Sequence, residues 1–121
     1  MGSTILVVDD DAHVRKALAR CLRSFLTERK LEIREARDGR EALELLKEFT
    51  PVLIICDLDM PPGMNGEAFL QAREGAQLDI PVVLNSGNRD LPEIAKRFGV
   101  EYAVKGYSFE GIVEIAKRLV P

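Results

Sequence analysis

Short apolar runs alternate with segments of helical period along the whole chain. Three runs, Ile5–Val8, Val52–Ile55 and Val82–Leu84, are unbroken and rich in β-branched residues. Such runs are typical of strands that are covered on both faces. Two weaker runs, Leu31–Ala36 and Tyr102–Val104, predict strands at the edges of the same sheet.

Apolar residues recur at helical spacing after each of these runs. The four clearest faces are Val14, Leu18, Cys21, Leu22 and Phe25; Ala42, Leu45, Leu46 and Phe49; Leu91, Ile94, Ala95 and Phe98; and Ile112, Ile115, Ala116 and Leu119. A less clear helix is expected over about Gly66–Ala76. Asp38 with Glu41 predicts one helix start, and Ser108 predicts the cap of the last helix. A strand followed by a helix, five times over, predicts an α/β protein with a doubly wound parallel sheet.

Polar residues follow the predicted strands, and the functional crevice of such a sheet lies at its carboxyl edge. The first strand ends in Asp9 and Asp10, and the third ends in Asp57. The fourth leads into Ser86 and the fifth into Lys105. If the first and third strands are neighbours, their three carboxylates converge, and oxygen ligands with room for water suit Mg²⁺.

Asp57 stands where a strand stops and a loop begins. A carboxylate held against a metal can attack phosphorus as a nucleophile. Lys105 would neutralise charge on the phosphoryl group, and the Ser86 hydroxyl would donate a hydrogen bond to it. Taken singly, Asp57 is equally well explained as a loop acid, and Ser86 and Lys105 are each better explained as surface residues. Asp11 is expected to cap the first helix rather than bind metal.

Composition limits the alternatives. A chain of 121 residues with 46% hydrophobic and 31% charged content predicts one globular domain over residues 1–121. The net charge of −3 gives no basic field for nucleic acid or an anionic membrane. The two cysteines, Cys21 and Cys56, indicate reduced core residues of a cytoplasmic protein. The single histidine, His13, allows no triad and no histidine metal site.

These residues resemble the receiver domain of two-component response regulators over essentially the whole chain. Asp9 and Asp10 match the acidic pair of that domain, and Asp57 in ICDLDMP matches its phosphoacceptor. Ser86 stands at the family's hydroxyl position, and Lys105 matches its lysine. Tyr102 stands at the aromatic position that switches rotamer on activation. The resemblance implies a flavodoxin-like, five-stranded sheet of order 2-1-3-4-5 flanked by five helices. It also implies Mg²⁺ as cofactor and a phosphoryl group received from a histidine kinase or phosphotransfer protein. The downstream effector would bind the face of helix 4, strand 5 and helix 5.

Two departures from the family's pattern affect the site. Asp59 adds a carboxylate where the family's backbone carbonyl usually binds the metal, so Asp59 joins Asp9, Asp10 and Asp57 as an expected metal ligand. Gly106 replaces the proline that usually follows Lys105. A cis peptide costs about 2.5–4 kcal/mol before a residue other than proline, so a trans Lys105–Gly106 bond is expected.

Three functions therefore compete. The first is a phosphoacceptor that promotes its own phosphorylation and dephosphorylation without being an enzyme. The second is a receiver-like binding module that is never phosphorylated. The third is an aspartate-nucleophile phosphohydrolase, because Asp57-Leu58-Asp59 resembles that family's motif. The intact acids, Ser86 and Lys105 favour the first over the second. The third is disfavoured because its motif usually closes the first strand, and here it closes the third.

Overall fold

The computed structural model describes residues 3–106 and 108–121, and its elements alternate strictly between strand and helix. In chain order they are β1 (Ser3–Val8), α1 (Ala12–Phe25), β2 (Leu31–Ala36), α2 (Gly39–Leu45), β3 (Leu53–Cys56), α3 (Gly66–Gly75), β4 (Val82–Ser86), α4 (Leu91–Phe98), β5 (Glu101–Val104) and α5 (Glu110–Leu119). Within these ranges no helix is both long and apolar enough to cross a membrane.

The five strands form one parallel sheet in the order β2-β1-β3-β4-β5, which confirms the predicted fold. Val8 is in register with Cys56 on one side and with Ala36 on the other. The chain adds β2 on one side of β1 and β3 on the other, so the strand order reverses between β1 and β3. The residues that follow these two parallel strands meet at the carboxyl edge of the sheet.

Alternate residues of each central strand pack on opposite faces of the sheet. In β1, Ile5 and Val7 belong to a core that α1 and α5 cover, whereas Leu6 and Val8 belong to a core that α2, α3 and α4 cover. Both sets are buried because helices lie on both faces. This explains why the first strand reads as a continuous apolar run.

Two of the three predicted helix starts are confirmed. The Asp11 carboxylate accepts from the His13 N–H at 2.8 Å, and the Asp38 carboxylate accepts from the Glu41 N–H at 2.9 Å. The expected cap at Ser108 is wrong, because Phe109 is the N-cap of α5 and, among the residues that the structure describes, no side chain caps that helix.

Some boundaries and one core position also differ from the prediction. The second helix ends at Leu45, earlier than its apolar pattern suggested, and β4 continues through Ser86. Phe25 completes the apolar period of α1 but is 57% exposed. It is the last residue of that helix, and the Lys117 ammonium lies 5.7 Å from its ring centroid.

The start of α3 is packed directly against the end of β3. The Gly66 N–H donates to the Leu58 carbonyl at 2.9 Å. A Cβ atom on Gly66 would lie 2.2 Å from the Asp57 carbonyl oxygen, well inside van der Waals contact. Only glycine therefore allows the helix to approach the end of β3 this closely.

Gly66→Ala is expected to lower the free energy of unfolding by about 1–3 kcal/mol, because the loop or the helix must move to relieve the clash. Gly75→Ala, at the other end of α3, is a matched control because its Cβ would meet nothing within 4 Å. That change is expected to be neutral or to stabilise by up to about 1 kcal/mol. Urea unfolding of both variants measures the difference, and equal midpoints would contradict the packing argument.

Candidate phosphoacceptor site

The carboxyl ends of β1 and β3 bring three carboxylates together. The Asp57 N–H donates to the Val8 carbonyl at 2.9 Å, which places Asp57 beside Asp9. Oxygen atoms of Asp9, Asp10 and Asp57 all lie within 4.8 Å of one another. Asp9 and Asp57 are only 3% and 5% exposed, whereas Asp10 faces solvent. The convergence expected from strand adjacency is therefore present.

Strand β5 positions Lys105, the residue that follows it, beside this group. Val104 is in register with Ser86, and the Lys105 N–H donates to the Ser86 carbonyl at 3.0 Å. The Lys105 Nζ then lies 2.8 Å from the Oδ2 atoms of both Asp9 and Asp57. A single ammonium group thus bridges the two buried carboxylates.

Backbone N–H groups hold the other oxygen of each buried acid. Oδ1 of Asp57 accepts from the Leu58 N–H at 2.7 Å, and Oδ1 of Asp9 accepts from the Asp11 N–H at 2.9 Å. Each carboxylate is fixed between the backbone and Lys105, so its orientation is set before any ligand arrives.

The electrostatics of the group follow from burial and from this pairing. Burial raises the pKa of Asp9 above its ordinary value, although the hydrogen bonds from Lys105 and Asp11 partly oppose the shift. Burial alone would lower the pKa of Lys105, but its hydrogen bonds to Asp57 and Asp9 outweigh that effect and raise it. Lys105 therefore stays charged throughout the neutral range.

Ser86 and Tyr102 lie on the adjacent strands β4 and β5. Ser86 ends β4 and is 1% exposed, and its Oγ accepts from the Asn88 N–H at 3.1 Å. Tyr102 is in register with Leu84, and its side chain is 43% exposed. The peptide bond between Lys105 and Gly106 is not among the cis bonds of the described residues, as expected without a proline there.

The structure places the Asp59 carboxylate outside the group formed by Asp9, Asp10 and Asp57, although the sequence predicts it there. Asp59 is exposed, and its carboxylate accepts from the Asn88 side-chain amide at 3.2 Å. The Asp59 side chain thus contacts the loop between β4 and α4. Only its N–H points back, at 3.4 Å from the Asp57 carboxylate.

Sequence reasoning missed two residues that support the site. The Arg15 guanidinium donates to the Asp9 carbonyl at 2.6 Å and to Glu35 at 3.0 Å, so it ties the end of β1 to β2. Asn88 contacts both Ser86 and Asp59. An Asn two residues after a strand is a recognisable turn signal, but nothing in the local pattern marks Arg15.

Divalent metal fits the donor set. Asp9, Asp10 and Asp57 offer carboxylate oxygens, and Lys105 supplies one positive charge against three negative ones. Mg²⁺ prefers hard oxygen ligands and keeps several of its waters. The solvent-facing side of the group, at Asp10, leaves room for those waters.

Comparison with known proteins agrees with this geometry. The family model of the response regulator receiver domain matches residues 5–114. Regulator of RpoS from Escherichia coli is 39% identical over 84% of this chain, and the regulatory protein VanRB from Enterococcus faecalis is 31% identical over 99% of it. The chain spans only 29% and 53% of those two proteins.

Solved structures show the same architecture. The response regulator TrrA from Thermotoga maritima, in complex with Mg²⁺ and BeF, superposes with a TM-score of 0.80 at 28% identity. The match covers 98% of this chain and 99% of TrrA. The chemotaxis protein CheY4 from Vibrio cholerae superposes with a TM-score of 0.79 at 26% identity, over 99% of this chain and all of CheY4. The chain belongs to the receiver domain family of two-component response regulators, which act in phosphorelay signalling.

Lys105→Met is expected to destabilise the protein by about 1–3 kcal/mol at neutral pH, because two buried carboxylates lose their shared partner. The raised pKa of Lys105 keeps its contribution intact until the pH passes the pKa of an unfolded lysine. Because the pKa of Asp9 is raised, the folded protein takes up a proton there at a higher pH than the unfolded chain. The loss should therefore be smaller at about pH 5 than at about pH 8.

Urea unfolding at both pH values measures this difference. Lys16→Met is the control, since Lys16 forms an exposed ion pair with Glu35 and should cost at most about 1 kcal/mol. A loss for Lys105→Met that does not change with pH would contradict the role assigned to the buried acids.

Proposed function

We propose that Asp57 accepts a phosphoryl group from a histidine kinase or a phosphotransfer protein. The observation that carries this proposal is the Lys105 ammonium, which lies 2.8 Å from Asp57 and from Asp9 at the carboxyl edge of the sheet. A loop acid with no chemical role would have no reason to be buried, oriented and paired in this way.

The reaction is a substitution at phosphorus. An Asp57 carboxylate oxygen attacks, an O–P bond forms, and the N–P bond of a phosphohistidine breaks. The imidazole leaves with the electron pair and takes up a proton. Lys105 stays beside the carboxylate and neutralises negative charge that develops on the phosphoryl oxygens. The Ser86 hydroxyl donates a hydrogen bond to one of those oxygens.

Mg²⁺ is the proposed cofactor, held by Asp9, Asp10 and Asp57. When bound, it supplies charge compensation that lets an anionic donor approach three carboxylates. Asp59 is left out of this ligand set because its carboxylate is bonded to Asn88. The protein is then a phosphoacceptor that promotes both its phosphorylation and its dephosphorylation, and it is not a turnover enzyme.

Signalling is proposed to run from Ser86 to Tyr102. A phosphoryl group on Asp57 draws the Ser86 hydroxyl toward it, and the space vacated on β4 admits the Tyr102 ring, which is 43% exposed. The surface formed by α4, β5 and α5 then changes and binds the downstream effector. Two conformations within a few kcal/mol of each other suffice for such a switch. The acidic net charge of −3 supports a protein partner over nucleic acid, and a cytoplasmic location stays a prediction.

Phosphorylation should change amide hydrogen exchange mainly in α4, β5 and α5, because those elements carry the proposed switch. Mass spectrometry of peptides from the phosphorylated and free protein measures the change. Asp57→Ala treated with the same donor serves as control. Changes confined to α1 and α2 would contradict the assigned face.

With Mg²⁺ and acetyl phosphate, the protein should gain the mass of one phosphoryl group, on Asp57. Chelation of the metal should block the gain and Asp57→Ala should abolish it. Lys105→Ala and Asp10→Ala should weaken it, because each removes charge compensation or a metal ligand. Intact-mass and peptide-mass measurements give the stoichiometry and the position.

The variant pattern makes this test specific, since a surface acid that is phosphorylated non-specifically would not respond to Lys105→Ala. Labelling of Asp57→Ala to the parent level would overturn the proposed function. Continuous release of phosphate from a phosphate ester over many turnovers would instead favour a phosphohydrolase.

A further inference from the structure

The guanidinium group of Arg15 connects the end of β1 to β2. Its Nη1 atom donates to the Asp9 carbonyl oxygen at 2.6 Å, and its Nε atom donates to the Glu35 carboxylate at 3.0 Å. The Arg15 side chain is 16% exposed, so most of it is withdrawn from solvent. Glu35 is the second-to-last residue of β2, a strand that pairs with β1 along its whole length. Arg15 is therefore held at a fixed position beside the end of β1.

The Glu35 carboxylate is a stable anchor for this guanidinium group. Its second oxygen accepts from the Lys16 Nζ at 2.8 Å. Burial alone would raise the pKa of Glu35, but the hydrogen bonds from Lys16 and Arg15 outweigh that effect and lower it. Glu35 therefore stays ionised at neutral pH and keeps Arg15 in place.

The carbonyl group that Arg15 holds belongs to the peptide unit between Asp9 and Asp10. That unit is planar, so a donor fixed at its oxygen restricts the orientation of the whole unit. The Asp9 N–H is also held, because it donates to the Ala36 carbonyl at 3.0 Å. These contacts together fix the backbone from which the Asp9 and Asp10 side chains extend.

Asp10 is the member of the acidic group that depends most on its backbone. Asp9 and Asp57 are buried, and the Lys105 ammonium holds both of their carboxylates. Asp10 is exposed, so packing does not restrict its side chain in the same way. One of its carboxylate oxygens nevertheless lies within 4.8 Å of oxygens of Asp9 and Asp57. The orientation of the peptide unit between Asp9 and Asp10 therefore decides whether Asp10 faces the other two acids.

On the basis of the proposed function and its Mg²⁺ ligands, we propose that Arg15 is a positioning residue for the metal site. Its hydrogen bond to the Asp9 carbonyl sets the peptide unit that carries Asp10 before the metal arrives, and so strengthens Mg²⁺ binding. A ligand that is already oriented loses less conformational freedom when the metal binds. Partners that orient a metal ligand from outside the coordination sphere typically change metal affinity by about 10–100-fold.

The charge of Arg15 acts in the opposite direction to this positioning. A guanidinium cation near the acidic group repels Mg²⁺, so loss of its charge alone should strengthen metal binding. Loss of its hydrogen bond to the Asp9 carbonyl should weaken metal binding. The sign of the change in affinity therefore distinguishes a positioning role from a purely electrostatic one.

Titration of the metal-free protein with Mg²⁺, followed by amide chemical shifts, measures the dissociation constant and shows whether each variant is folded. Arg15→Met should raise that constant about tenfold. Lys16→Met is the matched control, because it removes the same charge and a bond to the same Glu35 carboxylate but leaves the Asp9 carbonyl bonded to Arg15. Its dissociation constant should not rise. Arg15→Lys keeps the charge but replaces a planar fork with a single flexible ammonium group, and should raise the constant by less than Arg15→Met.

The Mg²⁺ dependence of labelling by acetyl phosphate gives a second readout. In Arg15→Met the half-saturating Mg²⁺ concentration should rise about tenfold. The rate at saturating Mg²⁺ should stay near the parent value, because bound metal restores the orientation of its ligands. A merely structural role would instead lower the rate at every Mg²⁺ concentration and leave the dissociation constant of the folded protein unchanged.

Unchanged or tighter Mg²⁺ binding in Arg15→Met would overturn the positioning role, as would a Lys16→Met variant that loses as much affinity. If Arg15→Met does not fold, unchanged or tighter binding in Arg15→Lys has the same consequence. In these cases the parent still binds Mg²⁺ and acquires one phosphoryl group on Asp57, so the proposed function stands. A parent protein that neither binds Mg²⁺ nor takes up a phosphoryl group would overturn the proposed function and the role of Arg15 together.

Discussion

The Lys105 ammonium between the Asp9 and Asp57 carboxylates is the interaction on which the site depends. Oxygen atoms of the acidic group lie within 4.8 Å of one another, where two unit charges repel by roughly 3 kcal/mol at an effective dielectric of about 20. Both acids are nearly inaccessible to water, so solvent provides little relief. One cation shared at 2.8 Å from each offsets that repulsion and leaves the group negative enough to attract a divalent ion.

The topology of the sheet provides this arrangement. Asp9 and Asp57 are adjacent because β1 and β3 are hydrogen-bonded neighbours, although the two residues are far apart in the chain. Lys105 comes from β5, at the sheet's edge, and extends past Ser86 to reach them. The carboxyl edge of the sheet thus brings together side chains from the ends of four strands, β1, β3, β4 and β5, and the apolar residues of these strands hold those ends in place.

Residues of the site and its neighbours also contact the surrounding helices, strands and loops. Gly66 allows α3 to start against the Asp57 carbonyl, and Arg15 joins the Asp9 carbonyl to β2. Asn88 joins Ser86 to Asp59 on the solvent side. A charge change at Asp57 therefore acts on groups that already contact the start of α3, β2 and the β4–α4 loop, which is the physical requirement for a local switch with a wider effect.

The sequence by itself determined the strands, the helices and the parallel sheet. It also determined which side chains follow or end the strands at the carboxyl edge of that sheet: Asp9, Asp10, Asp57, Ser86 and Lys105. These features depend on local sequence, because the spacing of apolar residues in an element and the polar residue after a strand can be recognised within a few positions. Only the tertiary structure decided that Phe25 is exposed, that Ser108 does not cap α5, and that the Asp59 carboxylate bonds to Asn88 rather than joining the acidic group. Each depends on residues distant in the chain or on the packing at the end of an element. The direction of a loop side chain is fixed by the partner it meets across the fold, and no local pattern contains that partner.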